Sequence, residues 1–349
     1  MRPNQWTKPD SGIQAETVPS ARYARPPILP REFYEPNFLR TLGFIAYGLA
    51  FVVGFGAISR TIWSFASLHV ALRVALMAPF VFLSGQGMQI LGLVGHEGFH
   101  LSLHKNKYLS AITGLISSSV IIGFSVTGFA ASHWNHHRYT NQASDPDAKV
   151  FAKYKTFLSR VMFARLDADM KYAIYGARLS MGLDLPLKVK LPFSKRATTA
   201  LAVLNLLVTG AYASLYIWIT MKDLATGIIC VVLPHLVVVH YSGLRPYVEH
   251  AGLEEGILRD TRSRIHPWFT FLYHNINYHL EHHMYPSVPF FNLPKVHAFL
   301  KANGHFERAN APIETTIWGA YSKTTGKYQY PAPATNDLNW DPLADAPAE

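Results

Sequence analysis

A single cysteine, Cys230, stands in the whole chain. One thiol excludes an internal disulfide, a CxxC redox pair and a cysteine-ligated iron–sulfur cluster, so any electrons the protein uses come from elsewhere. Charge is scarce as well. Only 15% of the 349 residues are charged, against roughly 25% in an average soluble domain, while 49% are hydrophobic. That balance points to a bilayer. The opening residues, MRPNQWTKPDSGIQAE, lack the apolar core of a signal peptide. Residues 1–36, rich in proline and charge, are expected to form a poorly ordered cytosolic arm. No nucleic-acid-binding motif accompanies the net charge of +10, so that charge needs another explanation.

Four uncharged apolar stretches are long enough to cross a bilayer, which takes roughly 20 helical residues. They lie between Arg40 and Arg60, Arg73 and His96, Arg196 and Lys222, and Asp223 and Arg245. A fifth, Tyr108 to Ser132, has histidine clusters at both ends. If it crossed the membrane, the clusters would emerge on opposite faces and could not share a site. Gly114, Ser117, Ser118, Ser119 and Gly123 offer a break in its middle, and a half of about 12 residues rises only about 18 Å as helix. The expectation is two short re-entrant or interfacial helices, with buried protein groups satisfying the broken backbone at the turn. Four spans then place every Lys and Arg except Arg60, Arg73 and Lys222 on one side. The positive-inside rule assigns that side to the cytoplasm, facing anionic head groups.

Nine of the 17 histidines fall next to predicted helix ends on that side. They are His96 and His100; His133, His136 and His137; His250; and His279, His282 and His283. Residues three or four apart share a helix face, so HxxxH and HxxHH each aim imidazoles at a common point, and three such faces make a polyhistidine cage. Imidazole suits iron, copper, nickel and zinc alike, but one catalytic zinc takes about three protein ligands. Eight or nine imidazoles exceed one ion and fit two. Metal-bound histidines usually donate their other ring N–H to a carboxylate, a role expected here of Glu97, Asp145, Asp147, Glu249 and Glu281. His104 continues the first histidine face by one turn and is read as a hydrogen-bonding or interfacial residue. His235, within the fourth span, is read as hydrogen-bonded helix packing.

The segments GHEGFH, HWNHHRYTNQASDPD, LRPYVEH and NYHLEHHMYPSVPFFNLPKVH resemble the membrane-bound fatty acid desaturase and hydroxylase superfamily over about 200 residues. The second box, HxxHH followed by TN and DPD, and the third, YHLEHH followed by PSVP, have the forms common in acyl-chain desaturases. The resemblance implies that the eight box histidines bind two irons, with His250 as a further ligand and dioxygen as co-substrate. In some relatives an asparagine near the third box holds a metal through water, which Asn275 or Asn277 could do here. No HPGG-type cytochrome b5 motif is present, which implies a separate electron donor of ferredoxin–reductase or cytochrome b5 type. His104 adds an imidazole beyond the usual set.

The expected fold is therefore all-α and integral to the membrane: four transmembrane helices, a re-entrant or interfacial helical hairpin, and a cytosolic helical cap holding a polyhistidine di-metal site. The arm 1–36 precedes a membrane-embedded domain at 37–305, and 306–349 forms a C-terminal tail, proline-rich and acidic from Pro331. Lys155 to Arg178 are expected to lie on the membrane surface. The expected function is an oxygen-dependent di-iron desaturase of a fatty acyl or lipid-like chain. A hydroxylase or ketolase of a lipid, carotenoid or other hydrophobic metabolite is the alternative, because no box encodes the branch between the two outcomes. A membrane metal carrier would need polar residues along a path through the bilayer, and the spans hold almost none beyond His235 and His240.

Overall fold

The computed structural model describes residues 25–330. The expectations for residues 1–24 and for the tail from Pro331 lie outside the described residues. Four long apolar helices dominate: α1 (Phe38–Ser64), α2 (Val70–Phe99), a third at Lys195–Lys222 and a fourth helical run at Leu224–His250. At 27–30 residues each they are about 40 Å or more in length, enough to cross a hydrocarbon core of about 30 Å. Their outer faces are apolar and uncovered, as at Leu39, Val53, Leu207 and Met221. So wide an exposed apolar belt suits lipid as its solvent. Asn37 caps α1 by accepting from Arg40 N at 2.9 Å, and Arg60 at its far end pairs with Asp223 at 2.8 Å, tying the first span to the start of the fourth.

Helix α2 is the hub. Small residues on several of its faces admit close neighbours, the usual device where lipid offers no hydrophobic drive for helix association. A Cβ on Gly87 would lie 2.7 Å from Val52 N of α1, and one on Gly85 would lie 2.7 Å from Val237 of the fourth run. Toward its C-terminus α2 packs on the helix Lys107–Ser118. There a Cβ on Gly98 would lie 2.7 Å from Gly114 Cα and 2.8 Å from Ser110 O.

Helix Lys107–Ser118 and the next, Val126–Tyr139, have 12 and 14 residues, about 18 and 21 Å, so neither alone matches a bilayer core. Between them Gly123 turns the chain at φ +95°, a conformation that costs glycine little. The opened backbone at this turn is satisfied by side chains of the long helices. Tyr216 donates to Val120 O at 3.0 Å, His235 Nε2 accepts from Ile122 N at 3.2 Å, and Asn205 bridges Ser119 Oγ and Thr127 Oγ1. His235 also donates through Nδ1 to Val231 O at 2.8 Å, so both its ring nitrogens are engaged in packing.

Beyond the spans, helices Pro267–Tyr273, His279–Met284 and Leu293–Ala302 build a second core around Leu258, Phe269, Leu280 and Val296. Ser263–Arg264 (β1) pairs in parallel with Ile313–Glu314 (β2). Two expected boundaries shift. Residues 306–330 pack on the body instead of trailing from it: the fully buried Arg160 donates to the carbonyls of Lys323, Thr324, Thr325 and Tyr328. The arm also joins the body before residue 37, since Tyr285 donates to Pro27 O at 2.6 Å and Asn292 to Phe33 O at 3.1 Å.

The Gly98–Gly114 contact has no room for a methyl group. Gly98→Ala should therefore cost about 1–3 kcal/mol through overpacking, seen as a drop of several degrees in the unfolding temperature in detergent. Gly43→Ala, where a Cβ meets nothing within 4 Å, should cause no loss.

Candidate metal centre

The C-terminal turn of α2 presents His96 and His100. Helix Val126–Tyr139 brings His133, His136 and His137 against them, helix His279–Met284 brings the third box, and His250 ends the fourth helical run. His133 Nε2 lies 2.9 Å from His96 Nε2 and 3.0 Å from His137 Nε2; His279 Nε2 lies 3.3 Å from His250 Nε2. Two ligand nitrogens at about 2.1 Å from one ion and at right angles to each other stand about 3 Å apart, so these spacings match shared coordination.

Eight of the nine imidazoles fall into two groups. His96, His100, His133, His137 and His282 bring nitrogens within 4.8 Å of one another, and so do His136, His250 and His283. A third set, Glu249, His250 and His279, adjoins the second. Each HxxHH box is thus divided: His133 and His137, four residues apart, face one centre while His136 faces the other, and His282 faces away from its neighbours His279 and His283. The simple expectation of one aiming point per box gives way to two, because the middle histidine of each HxxHH box, His136 or His282, leaves the group that its two neighbours face.

Outer contacts fix the rings. His96 Nδ1 donates to Glu97 Oε1 at 3.0 Å, and Glu97 also accepts from Ser102 and from Phe290 N. His136 Nδ1 donates to Asp145 at 3.0 Å. His250 Nδ1 donates to Asp260 O at 3.3 Å. His283 Nδ1 stands 3.1 Å from Thr140 Oγ1; that hydroxyl spends its hydrogen on His136 O, so the ring is the donor. Each Nδ1–H leaves a bare Nε2 lone pair pointing inward. Several inner nitrogens are buried without any partner, among them both of His100, both of His282 and Nε2 of His283. Orphaned polar atoms cost about 1–3 kcal/mol each, and metal coordination would repay that. The donor set fits two ions.

Burial, reinforced by neighbouring imidazoles, holds His100, His133, His137, His279, His282 and His283 well below the usual histidine range. They are neutral, the state that binds metal. His136 differs: burial pushes it down, but Asp145 and Asp147 override that and raise it to about 9.

The acids divide too. Glu97 and Asp145 hold ring N–H groups. Asp147 is 4.0 Å from His136 Nδ1, its carboxyl raised by burial. Glu249 Oε2 lies 3.3 Å from the inward Nε2 of His279, with Arg245 and Arg264 on Oε1 at 2.8 and 2.5 Å. Glu281 contacts Ser263 and His297 Nδ1, bracing the third-box helix from behind. Asn277 donates to Arg264 O at 2.8 Å while its buried Oδ1 makes no hydrogen bond, and Asn275 lines a cleft with Arg40 and Phe291. His104 accepts from Asn106 N and packs edge-on to Phe38, away from the cage. Asp260, Thr140 and the buried Tyr330, whose ring lies 5.6 Å from His250, had no signal in the sequence; a backbone carbonyl acceptor carries none. A cleft of about 730 Å³, counting its open mouth, reaches His96 between α2 and the fourth run, past Leu93, Phe129, Val238 and Ile276.

Residues 72–314 match the family model for fatty acid desaturases. The chain belongs to the fatty acid desaturase family. This desaturase is 24% identical to the sn-1 oleoyl-lipid 12-desaturase of Picosynechococcus over 302 residues, covering 79% of this chain and 80% of the relative. It is 26% identical to the Delta(5) fatty acid desaturase of Caenorhabditis elegans, covering 65% and 58% respectively. It is 23% identical to the chloroplastic sn-2 acyl-lipid omega-3 desaturase (ferredoxin) of Helianthus annuus, covering 76% and 62%. It is an oxidoreductase of lipid metabolism with membrane helices and a histidine cluster suited to metal.

Asp145 raises His136 in the metal-free protein, so loading at neutral pH must displace a proton there, and retention should weaken as pH falls. Asp145→Asn removes the partner that orients this ring. Metal affinity should then drop about 10–100-fold, measured as metal retained after titration with a chelator.

Proposed function

We propose that the protein is an oxygen-dependent desaturase holding two irons, one on His96, His100, His133, His137 and His282, the other on His136, His250, His279 and His283. The observation that carries this reading is the division of eight imidazoles into groups of five and three, with His279 and Glu249 adjoining the second and inner nitrogens that otherwise lack partners. When bound, iron supplies the activation of dioxygen needed to take hydrogen from an unactivated methylene. Iron is the choice because the chemistry asks for oxygen activation, which zinc does not offer.

The chain's own contribution is placement. Phe129, stacked on His133 with centroids 4.5 Å apart, and the apolar cleft below exclude water and hold a substrate chain beside His96, and alignment of the reacting carbon sets the outcome. Two hydrogens leave adjacent carbons as the double bond forms; with two electrons and two protons from the reductant, dioxygen becomes two waters. Those electrons come from a separate donor of ferredoxin–reductase or cytochrome b5 type, in keeping with the ferredoxin named for the Helianthus relative.

The metal centre is assigned to the cytoplasmic side by the lysine and arginine bias. Helices Lys107–Ser118 and Val126–Tyr139 are read as a re-entrant pair, supported by their length and by Asn205, Tyr216 and His235 at the turn. Helix Arg165–Ser180 presents Leu166, Met170 and Ile174 outward, the apolar face of an element lying on the membrane surface.

The test is the iron content of detergent-purified protein, paired with mass spectrometry of total lipids from cells expressing wild type or His136→Ala. About two irons per chain and a lipid lighter by 2 Da, absent with His136→Ala, are expected. A gain of 16 Da would make the enzyme a hydroxylase. Zinc, or no metal at all, would sink the di-iron reading.

A further inference from the structure

The cleft that reaches His96 is largely lined by apolar side chains, yet its polar lining includes Gln89, Arg165, Asp169 and Arg245, which hydrocarbon cannot serve. Two of them carry a buried oxygen with no hydrogen bond. Gln89 Oε1, on membrane helix α2, has none. Asp169 is buried; its Oδ2 accepts from Arg165 Nε at 2.9 Å, whereas Oδ1 is ion-paired with that nitrogen at 2.9 Å but makes no hydrogen bond. On the donor side, Arg165 binds Asp169 through Nε and lies over Phe124 at 5.0 Å. Arg245 binds Glu249 through Nε. The remaining guanidinium N–H groups of both arginines are available on a wall shared with the two acceptors.

A plain alkyl segment filling this space would leave the two buried acceptors as they are, without a hydrogen bond, and would give the arginine N–H groups nothing in place of water. Each unmade bond of that kind is worth roughly tenfold in affinity. A carboxylate or phosphate would suit the arginines but would meet the Asp169 carboxylate, and an amine would meet the arginines. A hydroxyl both donates and accepts, so it can give its hydrogen to Gln89 or Asp169 while taking one from Arg165 or Arg245. We infer that the cleft selects a hydrocarbon substrate bearing a neutral hydroxyl, held by Gln89, Asp169 and Arg165 so that a nearby methylene stands beside His96. The inference rests on the reading of this cleft as the substrate site, and it makes Gln89 and Arg165 specificity-determining positioning residues.

The experiment uses the full chain in nanodiscs with radiolabelled octadecan-1-ol as the probe, displaced by unlabelled octadecan-1-ol, octadecane or octadecanoate at matched mole fractions in the bilayer. Wild type should prefer the alcohol over both competitors by at least about tenfold. Arg165→Met and Gln89→Leu should each narrow the gap between alcohol and alkane to about twofold or less. Gln89→Leu places an apolar residue in a membrane helix and guards against a folding failure of Arg165→Met, which would leave Asp169 unpaired. Octadecane displacing as well as the alcohol, or a gap unchanged in Gln89→Leu, overturns the inference, and octadecanoate binding best replaces it with an anionic substrate. Iron content and the 2 Da lipid signal of the wild type report separately on the desaturase reading, so its failure alongside a persisting alcohol preference would leave this site standing.

Discussion

Everything at the metal centre depends on how closely α2 can approach the helix Lys107–Ser118. The crossing at Gly98 and Gly114 leaves no side chain between the two backbones, and Ser110 donates its hydroxyl to Gly98 O at 3.0 Å. That contact positions the segment that turns at Gly123 and continues as Val126–Tyr139. His133 consequently arrives 2.9 Å from His96. A bulkier crossing would separate the first two boxes by more than an imidazole's reach, whatever their sequence spacing.

Gathering nine imidazoles in one buried space is electrostatically costly, and the site handles that cost in two ways. Most rings are kept neutral by burial and by each other. His136 is the exception because Asp145 and Asp147 sit beside it. The same two acids follow from local chain geometry: Asp145 caps the helix that starts at Pro146 by accepting from Asp147 N at 2.9 Å, so one carboxylate fixes a helix start and an imidazole together. Glu249 is balanced by Arg245 and Arg264 in the same fashion. Charge is therefore neutralised within hydrogen-bond distance, as buried ions require.

Periodicity made much of this legible. Spacings of three and four residues announced the boxes, and the lengths of the apolar stretches announced the four spans, since both are properties of a helix alone. What stayed hidden depends on tertiary placement. The assignment of His136 and His282 to opposite groups from their sequence neighbours reflects where other helices stand. The carbonyl of Asp260 behind His250 is a backbone group that any residue could supply. Residues 306–330 look like a tail in composition, and only the donors of Arg160, more than 160 positions earlier in the chain, reveal that they are docked.

Membrane depth joins the two halves of the chemistry. His96, His100 and His250 stand at the ends of long apolar helices, while the cleft beneath the histidine cluster runs between α2 and the fourth helical run, whose outer faces are apolar and exposed. A hydrocarbon substrate can therefore move from bilayer to the histidine cluster without crossing bulk water, and its methylenes exchange lipid contacts for cleft contacts, so that packing rather than removal from water supplies the affinity. Such affinity is nearly indifferent to register, because one methylene resembles the next. Register has to come from a polar contact or from the end of the cleft. In this chain polar side chains stand on the cleft wall, at Gln89 and the Arg165–Asp169 pair, and on the hydroxyl reading proposed above they tie the choice of carbon to a hydrogen bond rather than to chain length.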